Sequence, residues 1–111
     1  MSRREIVECT SVEIVEAAGP LDLTTFCRVC RLETESVVEL VEEGILEPAG
    51  ASPAQWRFTS VAVRRGRTAA RLRQELGLDA AALGVVLELL EQRSELERQL
   101  ATLEHLLGEG G

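Results

Sequence analysis

The sequence predicts a mainly α-helical domain: a helix-turn-helix core behind an N-terminal β-strand or hairpin, followed by one long helix made for pairing. Three observations predict it. Apolar residues recur at helical spacing in two short segments separated by a turn, Phe26/Val29/Cys30 and Val37/Leu40/Val41. Glycine and proline then punctuate the chain at Gly44, Pro48, Gly50 and Pro53. From Ala80 to Leu107 no proline occurs, and the only glycine is Gly84, near the start.

Taken in order, Ile6 to Glu16 is rich in Val, Ile and Thr, with Val12 and Ile14 alternating about Glu13, the pattern of a strand or short hairpin. Ala17-Ala-Gly-Pro20 breaks it. Thr24 or Thr25 is expected to cap a helix ending near Arg31. Leu32-Glu33 makes the turn, and Thr34 caps a second helix over Glu35 to Glu43. Gly44 supplies the left-handed residue that stops it, and Pro48 prevents it from resuming. Ala49 to Ala54 is a loop, and Gln55-Trp-Arg-Phe58 a short extended piece. Thr59 or Ser60 caps a third helix, Val61 to Leu76. Gly66 weakens that helix by about 1 kcal/mol relative to alanine, which points to close packing there. Gly77 ends it, and Asp79 caps the last helix. The units are thus an extension over 1–20, the helix-turn-helix with its wing and third helix over 21–78, a long helix over 79–107 and a frayed tail over 108–111.

The long helix repeats every seven residues. Val86, Arg93, Leu100 and Leu107 occupy one position; Leu89, Leu96 and Leu103 occupy the position three residues on. These are the a and d sites of a coiled-coil seam, with Arg93 as its single polar intruder. One amphipathic face lying on its own domain would explain the first half. Beyond Ser94 the pattern outruns a body of this size, so Val86, Leu89, Arg93, Leu96, Leu100 and Leu103 are expected to hold a homodimer.

Composition narrows the function. The 45% hydrophobic content is that of a folded chain. Two Phe, one Trp and no Tyr leave little for stacking nucleic-acid bases. A net charge of −7 repels a phosphate backbone at long range. No apolar run reaches the roughly 20 residues that span a bilayer, and Ile6 to Glu16 is interrupted by acids, so no membrane is expected and the cytoplasm is the expected compartment. Three cysteines with no export signal do not make a disulfide scaffold. Cys27 and Cys30 form one C-x-x-C, but only Cys9 and the distant His105 are left as further zinc ligands, so no metal or other cofactor is expected. A single histidine and the absence of a glycine-rich phosphate loop leave no catalytic constellation.

Charge is segregated along the chain. Between Glu33 and Glu47 lie six acids and no base; between Arg57 and Arg73 lie six bases and no acid. Either these segments neutralise each other, across the fold or across a dimer, or they face different partners.

The order of short motifs resembles the MerR-type winged helix-turn-helix. Gly44, Ile45, Leu46 and Pro48 match its Gly-Leu-Leu-x-Pro-like signature, Trp56-Arg57 its Tyr-Arg-like wing, and Leu76-Gly77-Leu78 its Leu-Gly-Phe-like junction. The resemblance covers about residues 21 to 107. The departures are informative. Where MerR-type regulators carry Thr-Leu-Arg-Tyr-Tyr on the second helix, this chain has Ser36, Val37, Val38, Glu39 and Leu40. The arginine and the first tyrosine that hold DNA are Val38 and Glu39, and a helix bearing Glu39, Glu42 and Glu43 presents like charge to phosphates.

One branch shares these departures. Leu23-Thr-Thr-Phe-Cys27, Gly-Ile-Leu-Glu-Pro, Trp56 and Leu72-Arg-Gln-Glu-Leu-Gly-Leu-Asp79 resemble the CbpM chaperone-modulator family in order and spacing. That resemblance implies a protein that binds the J-domain of CbpA, a DnaJ-like co-chaperone, and inhibits its stimulation of the Hsp70 ATPase. J-domains present a basic helical face. The expected complement is Val38 and Ile45 as apolar contact, Glu39, Glu42 and Glu43 as charge, and Trp56 packing the wing or anchoring the rim. The competing readings are a MerR-like transcription factor reading DNA through Arg57 and the basic third helix, and an assembly factor acting only through its coiled coil.

Overall fold

The computed structural model describes residues 19–110, so the strand expected over Ile6 to Glu16 lies outside the described residues. Among these there are four helices: α1 (Leu23–Cys30), α2 (Thr34–Glu42), α3 (Ser60–Leu76) and α4 (Ala80–Gly110). One 3₁₀ turn covers Pro53–Gln55.

The cap of α1 is Asp22 rather than a threonine: its carboxylate accepts from the Thr25 amide at 2.9 Å. Aspartate caps as well as threonine does, and starting the helix two or three residues earlier than expected puts Thr25 at the third helical position, whose amide is free to donate. Phe26 and Cys30, one turn apart, are buried. Arg31 ends the helix in the left-handed region (φ 60°), and its amide reaches back to the Cys27 carbonyl. That residue, rather than Leu32-Glu33, sets the sharp turn. Thr34, expected as the cap of α2, is its first helical residue, and Glu33 before it makes no side-chain cap bond.

Val37 and Leu40 pin α2 to the core. Gly44 (φ 75°) stops the helix as expected, and the Ile45 and Leu46 amides both return to the Leu40 carbonyl at 2.9 and 3.2 Å. Two isolated antiparallel bridges make the wing: Ala49 pairs with Arg57, and Phe58 with Leu21. The second bridge ties the start of the described chain to the wing and brings Phe58 over Phe26, ring centroids 4.0 Å apart and nearly parallel.

A stripe of small residues on α3, Ala62, Val63, Gly66 and Ala69, is buried against this cluster. A Cβ at position 66 would lie 2.8 Å from Phe26 Cζ and 2.9 Å from Cys30 Sγ, so only glycine lets the two helices approach this closely. Gly77 (φ 66°) closes α3, and Asp79 caps α4 through the Ala82 amide at 2.9 Å. Ala80, Leu83 and Leu87 complete the core. Beyond Leu87 no residue of α4 with a described side chain is buried. The helix has 31 residues, about 46 Å at 1.5 Å each, and continues through the tail expected to fray from Gly108.

Candidate functional site

The outward face of α2 is acidic. Glu35, Glu39 and Glu42, with Glu33, Glu43 and Glu47 flanking them, are all exposed, because the helix commits Val37 and Leu40 to the core and leaves the opposite side to solvent. Val38 and Val41 are half-buried at the edge of that face. No ion pair joins any of these six acids to the arginines of α3 among the described residues. Direct ion pairs thus do not join the two charge blocks among the described residues, although Arg73 of α3 reaches Ser36 of α2.

The arginines are engaged elsewhere. Arg67 donates to the Val29 carbonyl at 2.8 Å, and Arg73 to the Ser36 hydroxyl at 2.9 Å. Arg65 donates to the Ile45 carbonyl and pairs with Glu91 of α4 at 2.6 Å. It thereby ties the turn that ends α2 to the helix rising beside it. Arg57, on the wing, folds back onto the Trp56 carbonyl at 2.7 Å.

Two expected contact residues are not at the surface. Ile45 is only 5% exposed, tucked beneath Gly84 of α4, whose Cβ, were there one, would touch it at 3.4 Å. The chain doubles back after Gly44, and the docking of α4 covers the side chain. Trp56 is 8% exposed and meets Phe58 edge-on at 6.1 Å, so it packs the wing into the core and is not a rim anchor.

On α4 the two halves differ. Val86 is half-buried at the root, where the body-facing stripe is Ala80, Leu83 and Leu87, out of step with the heptad sites. Past it, Leu89, Leu96, Leu100, Leu103 and Leu107 are exposed, Leu96 to 64% and Leu107 to 70%. Arg93 pairs with Glu97 one turn on at 2.9 Å. A groove of about 820 Å³ between α3 and α4, lined by Arg71 of α3 and by Leu87, Leu90, Ser94 and Ala101 of α4, lies on a different face of α4 from that leucine row.

The two cysteines of the C-x-x-C pair sit in different surroundings. Cys30 Sγ lies 3.7 Å from the Val63 carbonyl, and burial pushes its thiol up to about 12, with Arg67 pulling weakly the other way. Cys27 is half-buried, and among the described residues no group of three His, Cys, Asp or Glu is placed to hold a metal ion. Nor is any helix of the described residues long and apolar enough to cross a membrane.

Residues 21–105 match the family described as MerR HTH family regulatory protein. The sequence is 33% identical over 91 residues to the chaperone modulatory protein CbpM of Coxiella burnetii (strain Dugway 5J108-111), covering 82% of this chain and 86% of that one. It is 39% identical over 88 residues to CbpM of Pseudomonas putida (strain W619), 79% and 87% of the two chains, and 36% identical over the same length to CbpM of Pseudomonas entomophila (strain L48). The chain belongs to the CbpM family. Within the MerR-type match, which spans from Leu21 beside the wing through most of α4, the CbpM membership accords with the acid on α2 where DNA readers carry base.

One feature of this surface escaped the sequence. A recess of about 310 Å³ opens between the end of α2 and the root of α4, lined by Glu43, Gly44, Ile45, Ala81, Gly84, Val85 and Glu88 among others. Its two sides are some forty residues apart in the chain, and the heptad lettering of α4 drew the eye to Val86 instead of its neighbour Val85.

Proposed function

We propose that this chain is a chaperone modulator that docks through α2 onto the J-domain of a DnaJ-like co-chaperone of the CbpA type and inhibits its stimulation of Hsp70. The observation that carries this reading is the acidic face of α2, exposed along its length and, among the described residues, with no ion pair to the arginines of α3. A basic helical face is the natural complement. Steering by opposite charge speeds encounter, and Val38 and Val41 at the edge of the acids supply apolar contact once water is expelled. Glu39, Glu42 and Glu43 provide the charge; Ile45 holds the turn after α2 against α4, and Trp56 packs the wing. The name shared by the relatives supports chaperone modulation as the role.

The same proposal includes a homodimer through the outer part of α4. Leu89, Leu96, Leu100 and Leu103, with Arg93 among them and Val86 at the root, form an exposed apolar row that a second copy would cover.

The test is calorimetry of the wild type and of Glu39→Lys and Glu42→Lys against a J-domain, at 50 and 300 mM salt, with an Hsp70 ATPase assay in parallel. Binding that weakens with salt, weakens further on charge reversal, and lowers J-domain-stimulated ATP turnover is the expected result. Full affinity in both variants removes α2 from the interface. Tight, sequence-selective binding to duplex DNA near 150 mM salt, abolished by Arg57→Ala, replaces the proposal with the transcription-factor reading.

A further inference from the structure

We propose that the recess between α2 and α4 is a socket for one lysine or arginine side chain of the protein partner, so that the docking surface extends from the acidic helix onto the root of α4. The inference rests on the J-domain reading above and adds to it a second element, a specific cavity and the chemistry it accepts. Three properties define that chemistry. Part of the lining is apolar: Ile45, Ala80 and Ala81 contribute to it, and Gly84 adds no side chain of its own. The lip carries Val85, 59% exposed although it lies on the half of α4 that packs against the body. The mouth is acidic, with Glu43 from the end of α2 on one side and Glu88 from α4 on the other, neither carboxylate having a hydrogen bond or ion pair among the described residues.

Arg65 also lines the recess, but its charge is met by Glu91 and one of its donors is taken by the Ile45 carbonyl. Two unpaired carboxylates therefore set the sign of the potential at the opening. A lysine or arginine fits both halves of this description, with its methylene stem against Ala81, Gly84 and Val85 and its cationic head held at the mouth between Glu43 and Glu88. An aliphatic side chain would leave both carboxylates unpaired, and an acidic one would meet like charge. The site also explains where the apolar contact lies, given that Ile45 is buried: Val85 occupies the accessible place beside the acids.

The experiment uses the full chain and an isolated J-domain from a DnaJ-like co-chaperone. Ala81→Trp fills the recess from an exposed position, Glu88→Lys inverts its mouth, and Glu39→Lys is the reference on α2. Circular dichroism verifies that each variant is folded, and ultracentrifugation follows self-association. The expected result is a Kd raised roughly tenfold by Ala81→Trp and by Glu88→Lys, with amide shifts at Gly44, Ala81, Val85 and Glu88 when the labelled wild type is titrated. Wild-type affinity in both recess variants, with Glu39→Lys still weakened, overturns the socket and leaves the J-domain reading intact. A change in self-association with unchanged J-domain binding also overturns it, by assigning the recess to a second copy. No binding of the J-domain by the wild type overturns the parent reading and the socket together.

Discussion

Truncating Leu96 separates a helix that pairs from one that merely projects. The side chain is 64% exposed on one chain and touches nothing in the core. Full burial of a leucine stabilises by about 1.5–3 kcal/mol, so covering the exposed two-thirds is worth about 1–2 kcal/mol. A two-fold dimer holds two copies, and Leu96→Ala is then expected to cost about 2–4 kcal/mol per dimer. At 1.4 kcal/mol per factor of ten, the dimer Kd rises roughly 30- to 1000-fold. Sedimentation equilibrium across a concentration series measures it, and the fluorescence of Trp56, which sits in the wing core well away from Leu96, is expected to stay unchanged. A wild type that sediments as a monomer at 100 μM (a chosen upper concentration), or a variant that dimerises as well as the wild type, refutes the reasoning. An unpaired exposed leucine shifts stability by no more than about 0.5 kcal/mol when truncated.

Three further outcomes follow from the body of the fold. Gly66→Ala gains about 1 kcal/mol of helix propensity but drives a Cβ into Phe26 and Cys30 at 2.8 and 2.9 Å, an overpacking that costs about 1–3 kcal/mol; urea unfolding is expected to show a loss that Cys30→Ala in the same chain partly restores. Arg65→Ala strips a donor from the Ile45 carbonyl and frees Glu91, lowering stability by about 1 kcal/mol, mostly from the carbonyl because the ion pair is partly exposed and screened; an unchanged urea midpoint would show that this tether is idle. The hydrogen bond from the Thr25 amide holds the Asp22 carboxyl below its ordinary value of 3.8, so its contribution is complete above that pH and lost as pH falls through the folded value. Asp22→Ala is therefore expected to lower Tm at neutral pH, with the gap to wild type closing below pH 3.8, and a gap that stays constant down to pH 2 would contradict the cap.

Local chemistry was legible where one residue decides a local event. Gly44 and Gly77 end their helices in the left-handed region, and Asp79 caps α4, because each act needs only the residue and its near neighbours. The cap of α1 was missed by two or three residues because Asp22, Thr24 and Thr25 are all capable oxygens, and what selects Asp22 is the bridge that anchors Leu21 to Phe58. Exposure was harder to read. Ile45 has the sequence neighbourhood of a surface residue beside glutamates, yet α4 arrives from forty residues away to cover it. The recess is invisible for the same reason, being the gap left where two distant segments meet around small residues. Long-range packing decides such features, and periodicity within one helix carries no record of it.

On the J-domain proposal, the charge on α2 is what turns a nucleic-acid scaffold toward a protein. Val37 and Leu40 anchor the helix in the core and Val38 packs at its edge, while Glu39, where MerR-type regulators carry a tyrosine, is exposed. That exchange changes the field the helix presents. Each phosphate contact of a DNA reader depends on a cation releasing counterions, and acids along the helix that would read the groove make every such contact repulsive. In the basic block of α3, Arg65, Arg67 and Arg73 reach to carbonyls, a hydroxyl and Glu91 of their own chain, and Arg57 is turned back onto the wing. What α2 offers to solvent is a negative, partly apolar face, and under the J-domain proposal its complement is a positively charged helix.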